Sequence, residues 1–247
     1  MSKDHVDSLK NQERIYKQIE DKPGYNDHFC ETEKKEPYSL KVRVLGNDLD
    51  SYLTAHSTNY FIHHHLMQTA SSIMDAVIWL HDQNIVHGDI KTENIVIVQD
   101  DDPPTARLID LEAAIHKDSP DRITNTILTP GFIPPELITK INKRQQITWN
   151  DIFWYDLWAL GIVLLLMTTY HDRQLFNQYS MLQTPDPSGS DHHKFKQVAD
   201  KANKLLTQTF GREYDLNLLD IDPKKRRLVK RTHPINTLIP WLIGLMM

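Results

Sequence analysis

Asp89, Lys91, Asn94 and Asp110 are the residues whose types and spacing could do chemistry together. Asp89 is a carboxylate able to orient a hydroxyl and accept its proton. Lys91 follows two residues later, so an extended segment places its cation on the same side as Asp89. Asn94 and Asp110 offer the hard oxygen donors that magnesium takes. Asn94 opens the apolar run Ile95–Val98, and Ala106–Ile109 reads as the strand that returns beside it. Such a hairpin brings Asn94 and Asp110 side by side at its open end, which makes a two-ligand cation site by spacing alone. A proton acceptor, a cation and two metal ligands suit phosphoryl transfer, which needs placement and charge compensation more than covalent chemistry.

The elements that must hold this set follow from periodicity. Leu9–Ile19 reads as a short helix with Leu9, Ile15, Tyr16 and Ile19 near one face, Asp7 or Ser8 as its cap and Pro23-Gly24 as its end. The charged stretch Glu31–Pro37 reads as a loop, Tyr38–Leu45 as a strand and Gly46-Asn47 as a turn. Ile62, Leu66, Met67, Ala70, Ile73, Met74, Val77 and Leu80 recur at three- and four-residue steps, the buried face of a longer helix. His63, His64 and His65 are consecutive on it, so they point to different sides and cannot converge on one metal. Asp100-Asp101-Asp102 reads as a solvated hairpin tip rather than a metal cage. From Trp149 onward the chain reads mostly helical, with a break at 184–191. Ile152–Tyr170 is apolar almost throughout but contains Asp156, so it reads as the buried central helix of a domain rather than a membrane span. Short strands first and helices later predict an α+β fold.

Five local patterns stand in one order: His87-Gly88-Asp89-Ile90-Lys91-Thr92-Glu93-Asn94, Leu108-Ile109-Asp110-Leu111-Glu112, Thr129-Pro130-Gly131-Phe132-Ile133-Pro134-Pro135-Glu136, Asp156-Leu157-Trp158-Ala159-Leu160-Gly161 and Asp222-Pro223-Lys224-Lys225-Arg226. In this order they resemble the eukaryotic-type protein kinase catalytic domain, and Lys91 with Thr129 resembles its serine/threonine branch. The resemblance implies a mainly helical larger lobe over 46–247 and a reduced smaller lobe over 1–45. It implies ATP and Mg²⁺ as cofactors and a protein as substrate, or a kinase as partner. It makes Asp89, Lys91 and Thr129 catalytic, with Thr129 bonded to Asp89 and Lys91. It makes Lys91, Asn94, Val96 and Asp110 nucleotide-binding, with Val96 beneath the adenine, and Asn94 and Asp110 metal ligands. It also implies a buried Glu136–Arg226 pair, and an Asp156 that accepts backbone hydrogen bonds from the His87–Asp89 loop.

The chain departs from the family pattern in four ways. Gly88 stands where the family has an arginine that pairs with a phosphate on the activation segment, so activity is expected not to depend on that phosphate. Leu111-Glu112 replaces Phe-Gly, which keeps an apolar residue and removes the freedom of glycine. Residues 9–24 resemble the helix that carries the family's ion-pairing Glu, and Gln12 falls at its position. No Gly-rich phosphate loop or ATP-binding Lys strand is recognisable, which the resemblance reads as an N-terminal truncation. A phosphotransferase is therefore one reading. The alternative is a pseudokinase or kinase-lobe mimic that serves as a protein-binding module.

Composition bounds these readings. At 247 residues, 40% hydrophobic and 25% charged, the chain is neither disordered nor collagen-like. A net charge of −5 gives no reason to expect nucleic acid as partner, and no membrane partner is expected. The basic run Lys224–Arg227 with Lys230 and Arg231 could mark a localisation or nucleic-acid patch, or simply a solvated surface. Cys30 is the sole cysteine, so neither an intrachain disulfide nor a cysteine zinc site can form. A polar N-terminus and a lone thiol predict a cytoplasmic location, with the nucleus as the alternative.

Overall fold

The structure is a computed structural model that describes residues 3–30, 32–36, 39–42, 46–55, 65–98, 104–119, 128–170, 172–184 and 192–231. Ile62, His63, His64, the acidic triplet at 100–102, most of the break at 184–191 and the apolar run 234–247 lie outside the described residues.

Helix α1 (Lys3–Ile19) turns Ile15, Tyr16 and Ile19 into the core, together with two polar residues, Asn11 and Gln12. It begins well before Leu9, so Asp7 and Ser8 lie within it and do not cap it. A turn through Gly24, at φ 86°, leads to α2 (Tyr25–His28). Strand β1 (Thr32–Glu36) pairs antiparallel with β2 (Ser39–Val42), Thr32 opposite Val42. This corrects the expected loop over 31–37. The run Thr-Glu-Lys-Lys-Glu has no apolar alternation, but strand pairing is a backbone matter and the neighbouring strand supplies the partner.

Asp48 caps α3 (Leu49–Ala55), accepting from Ser51 N at 2.9 Å, and bridges to Val96. Helix α4 (Leu66–Asp82) buries Leu66, Ala70, Ile73, Met74, Val77 and Leu80 as the periodicity predicts. Met67 is the exception at 38% exposed, because Thr69 takes the inward place in that turn. His65 is buried just before α4.

Strands β3 (Ile85–Val86) and β6 (Ile115–His116) pair across the start and end of the candidate site. Between them β4 (Ile95–Val98) and β5 (Thr105–Leu108) form the expected antiparallel hairpin, Ile95 opposite Leu108. Helix α5 (Pro135–Asn142) leads to α6 (Trp149–Thr169), whose start carries a capping box between Thr148 and Asp151. By length and composition α6 could cross a membrane, yet 78% of its apolar window is buried inside the protein. At Gly161 a Cβ would lie 2.7 Å from Leu219 Cδ2, so glycine lets the 218–219 segment pack directly on the helix. Helices α7 (Arg173–Tyr179) and α8 (His192–Phe210) follow.

The hairpin of β7 (Tyr214–Asn217) and β8 (Arg227–Lys230) interrupts the expected helical run. Tyr214 and Leu216 point inward while Asp215 and Asn217 stay half-buried, the period-two pattern of a strand. At four residues that pattern is too short to stand out in the sequence.

Candidate active site

The loop that carries Asp89 is anchored from below by α6. Asp156 is fully buried, and its two carboxylate oxygens accept from the backbone N–H groups of His87 (2.7 Å) and Gly88 (2.9 Å). His81 Nε2 of α4 lies 3.0 Å from the same carboxylate. Three partners around one buried charge explain why an apolar helix tolerates it. His87 closes the loop from above, with Nε2 3.1 Å from the carbonyl oxygen of Ile109 and Nδ1 accepting from Asp89 N at 3.3 Å. Gly88 has φ 79°, and a Cβ there would sit 2.6 Å from the carbonyl oxygen of Ala113. No arginine, nor any other side chain, fits this backbone without moving it.

Asp89 is held on both oxygens. Thr129 Oγ1 donates to Oδ1 at 2.5 Å, and Lys91 Nζ (2.6 Å) and Asn94 Nδ2 (3.0 Å) meet Oδ2. Lys91 has an extended backbone, φ −157° and ψ 167°, which brings its side chain back to Asp89 as the two-residue spacing predicts. Thr129 reaches Asp89, and no hydrogen bond joins it to Lys91 among the described residues. Asn94 also donates to the Asp89 carbonyl at 2.9 Å. Its own carbonyl accepts from Ile109 N at 3.0 Å, which sets Asp110 next to it at the open end of the hairpin. Val96 is 1% exposed, paired with Arg107 and bridged to Asp48.

Asp110 has φ 65°, a left-handed backbone on a residue that tolerates it. Its Oδ1 accepts from Gln12 Nε2 at 3.2 Å and from Glu112 N at 3.3 Å, and no hydrogen bond reaches Oδ2 among the described residues. Asn94 and Asp110 therefore offer oxygen donors suited to Mg²⁺, a cation that shares its shell between one or two carboxylates, water and substrate phosphates. Among the described residues no group of three His, Cys, Asp or Glu side chains forms a metal cage.

Two further features frame the centre. Arg226 is buried and forms a two-pronged pair with Glu136, 2.6 and 3.0 Å, while its Nε donates to the Asp220 carbonyl. Its guanidinium also lies 4.8 Å from the Trp158 ring centroid. One arginine of the basic run thus goes inside, and Lys224, Lys225 and Arg227 stay wet. Beside the centre opens a cleft of about 620 Å³, lined by Thr92 and Glu93 from the segment that follows Asp89, Phe132, Leu53, Tyr170 and Phe176. Asp50 stands on its wall, and desolvation with the nearby Glu93 carboxylate pushes its own carboxyl upward.

The sequence-predicted residues Asp89, Lys91, Asn94, Asp110 and Thr129 come together. Ser8, Asn11 and His81 were missed. Asn11 and Gln12 lie one turn before Ile15 and Tyr16, so polar residues on an apolar helix face were the available signal. His81 follows Leu80 on α4 in the same way, and Ser8 gave none.

The chain matches the model of the protein kinase domain over residues 28–227. It is 30% identical over 211 residues to the meiosis-specific serine/threonine-protein kinase mek1 of Schizosaccharomyces pombe, covering 80% of this chain and 42% of that protein. It is 24% identical to the cAMP-dependent protein kinase catalytic subunit 3 of Drosophila melanogaster, over 81% of this chain and 34% of that one. The chain thus spans less than half the length of these curated relatives. The crystal structure of the Rad53 kinase domain and SCD2 superposes with a TM-score of 0.56 at 18% identity, covering 92% of this chain and 76% of that one, so the fold is protein kinase-like.

Proposed function

The chain belongs to the protein kinase domain family, and on that premise we propose that it moves the γ-phosphate of ATP to a serine or threonine hydroxyl of a protein. The observation that carries the proposal is the convergence of Thr129, Lys91 and Asn94 on the two oxygens of Asp89. A carboxylate held on both oxygens is aimed before substrate arrives, so little reorganisation is needed at the reacting step. Asp89 orients the incoming hydroxyl and takes its proton as that oxygen bonds to the γ-phosphorus. The bond from phosphorus to the β–γ bridging oxygen breaks, and ADP leaves. Lys91 has three N–H donors, one on Asp89, so it can also meet a phosphoryl oxygen. Asn94 and Asp110 would hold Mg²⁺, which would supply charge compensation for the phosphates. Val96 would lie beneath the adenine. Residues 1–45 serve as the smaller lobe and 46–247 as the larger, in the cytoplasm.

The protein substrate enters along the cleft lined by Thr92, Glu93 and Phe132. Glu93 and Asp50 on its walls favour a basic side chain near the phosphorylated residue. The convergence of Asp89, Lys91, Asn94 and Asp110 supports an enzyme over a protein-binding module, since a scaffold has no need of it.

One experiment tests the reading. Unfolding temperature is measured with millimolar ATP and Mg²⁺, and phosphate transfer to serine peptides with and without a neighbouring arginine is followed for wild type and Asp89→Asn. A ligand that binds only the native state raises the unfolding temperature. Asp89→Asn is expected to fold and to lose at least about a hundredfold in transfer. Absence of any nucleotide shift, or equal transfer by the two proteins, sinks the proposal.

A further inference from the structure

Helix α1 reaches across about a hundred residues of sequence to grip the segment that carries Asp110. Ser8 Oγ donates to Glu112 Oε2 at 2.5 Å. Asn11 Nδ2 donates to the carbonyls of Glu112 (3.0 Å) and Ala114 (2.8 Å), and Gln12 Nε2 donates to Asp110 Oδ1 (3.2 Å). Arg14 Nη1 extends the contact to Ser119 Oγ at 2.9 Å. These residues rise at three- and four-residue steps, so they share one face of the helix. Leu111 is fully buried between the gripped residues and fastens the segment to the core.

We infer that Ser8 and Glu112 are positioning residues for Asp110: together with Asn11 and Gln12 they fix its left-handed backbone and reserve Oδ2 for the metal. The inference rests on the phosphotransferase reading for its metal, though not for the grip itself. Two features make the grip a property of this chain. Glu112 gives α1 a carboxylate to hold where the family pattern has glycine. Gly88 cannot carry the side chain that elsewhere pairs with an activating phosphate, because the Ala113 carbonyl fills the space. The metal-binding segment is therefore ordered from α1, by hydrogen bonds present in the resting chain, with no phosphate to recruit. Both oxygens of Asp110 have assigned work: Oδ1 accepts from Gln12 and Glu112, and Oδ2 faces no donor among the described residues.

The test uses the full chain with Ser8→Ala, Ser8→Thr, Glu112→Ala and Glu112→Gln. Amide hydrogen exchange is read at residues 111–114, and Mn²⁺ binding in the presence of ADP is read by water-proton relaxation. Loss of one charge-assisted hydrogen bond should speed exchange there about tenfold or more in Ser8→Ala and Glu112→Ala. Mn²⁺ should bind several-fold more weakly in the same two proteins. Ser8→Thr keeps the donor and Glu112→Gln keeps an acceptor, so both should stay near wild type. Unchanged exchange in both alanine variants overturns the grip. Faster exchange with unchanged Mn²⁺ affinity overturns the positioning role. Failure of wild type to bind Mn²⁺ with ADP defeats the phosphotransferase reading, while the exchange data still decide whether α1 holds the segment.

Discussion

The two segments that meet at the candidate centre are held in different ways. The Asp89 loop rests on Asp156, a fully buried carboxylate with two backbone donors and His81 around it. The Asp110 segment rests on hydroxyl and amide side chains from α1, at a half-buried edge and from far away in sequence. A buried charge with a partner on each oxygen cannot be released without a large penalty. The hydrogen bonds from α1 are single contacts, worth about 1 kcal/mol net to a carbonyl and about 1.5–3 kcal/mol to a carboxylate, and Ser8 and Glu112 keep partial access to water. The Asp89 loop is thus the fixed frame, and the Asp110 segment is the side that can give. That division suits the proposed phosphotransferase, in which a proton acceptor would keep its aim while a metal came and went with its nucleotide.

The strongest way to break this contrast is Asp156→Ala. The substitution strands two buried N–H groups and His81, so a stability loss of about 3–5 kcal/mol is expected in urea unfolding. Asp156→Asn keeps one acceptor and should lose less. A loss below about 1 kcal/mol for the alanine protein would put the two segments on an equal footing and end the distinction between frame and moving part.

Gly88→Ala sharpens the contrast, because Gly88 is one of the places where the two segments touch. A methyl group at φ 79° and 2.6 Å from the Ala113 carbonyl is expected to cost about 2–3 kcal/mol. The strain should be relieved on the weaker side. Hydrogen exchange is then expected to quicken at 111–114 and to stay unchanged at His87, whose N–H is bound by Asp156. Quickening at His87 instead would show that the loop, not the segment, yields.

The same contrast governs what could be read from sequence. Asp89, Lys91, Asn94 and Asp110 were legible because extended spacing and a hairpin bring them together locally. Asp156 was legible through its conflict with the helix around it: a carboxylate in α6 demands partners. The α1 grip was not legible, since Ser8 and Asn11 find their partners 104 and 101 residues away and short-range pattern says nothing of such pairs. Met67 and Thr69 exchanged places because a helical face is read only to within a residue or so. Strand β1 was hidden by its charged side chains, and β7 by its brevity. In both cases the partner strand, not the residue's own propensity, decided the structure.

The smallest expected effect belongs to Tyr155, the neighbour of Asp156 on α6. The side chain is fully buried, its hydroxyl meets no partner in hydrogen-bonding geometry among the described residues, and it lies beside the Thr129 backbone. Burial foremost, and then the carboxylates of Asp89 and Asp156, push its phenol well above the ordinary range, so it stays neutral. Asp156 and Tyr155 are thus adjacent opposites: one polar group with three partners, the other with none among the described residues. A buried hydroxyl without a partner costs about 1–3 kcal/mol on the scale of protein substitutions, and phenylalanine keeps the ring contacts while removing that cost. If Asp156 alone secures the frame, Tyr155→Phe should leave stability unchanged or raise it by up to about 1 kcal/mol, with transfer activity preserved. Thermal unfolding measures this directly. A loss of more than about 1 kcal/mol would mean that the phenol holds a partner such as a bound water against Thr129, and that the frame beneath Asp89 has a second support.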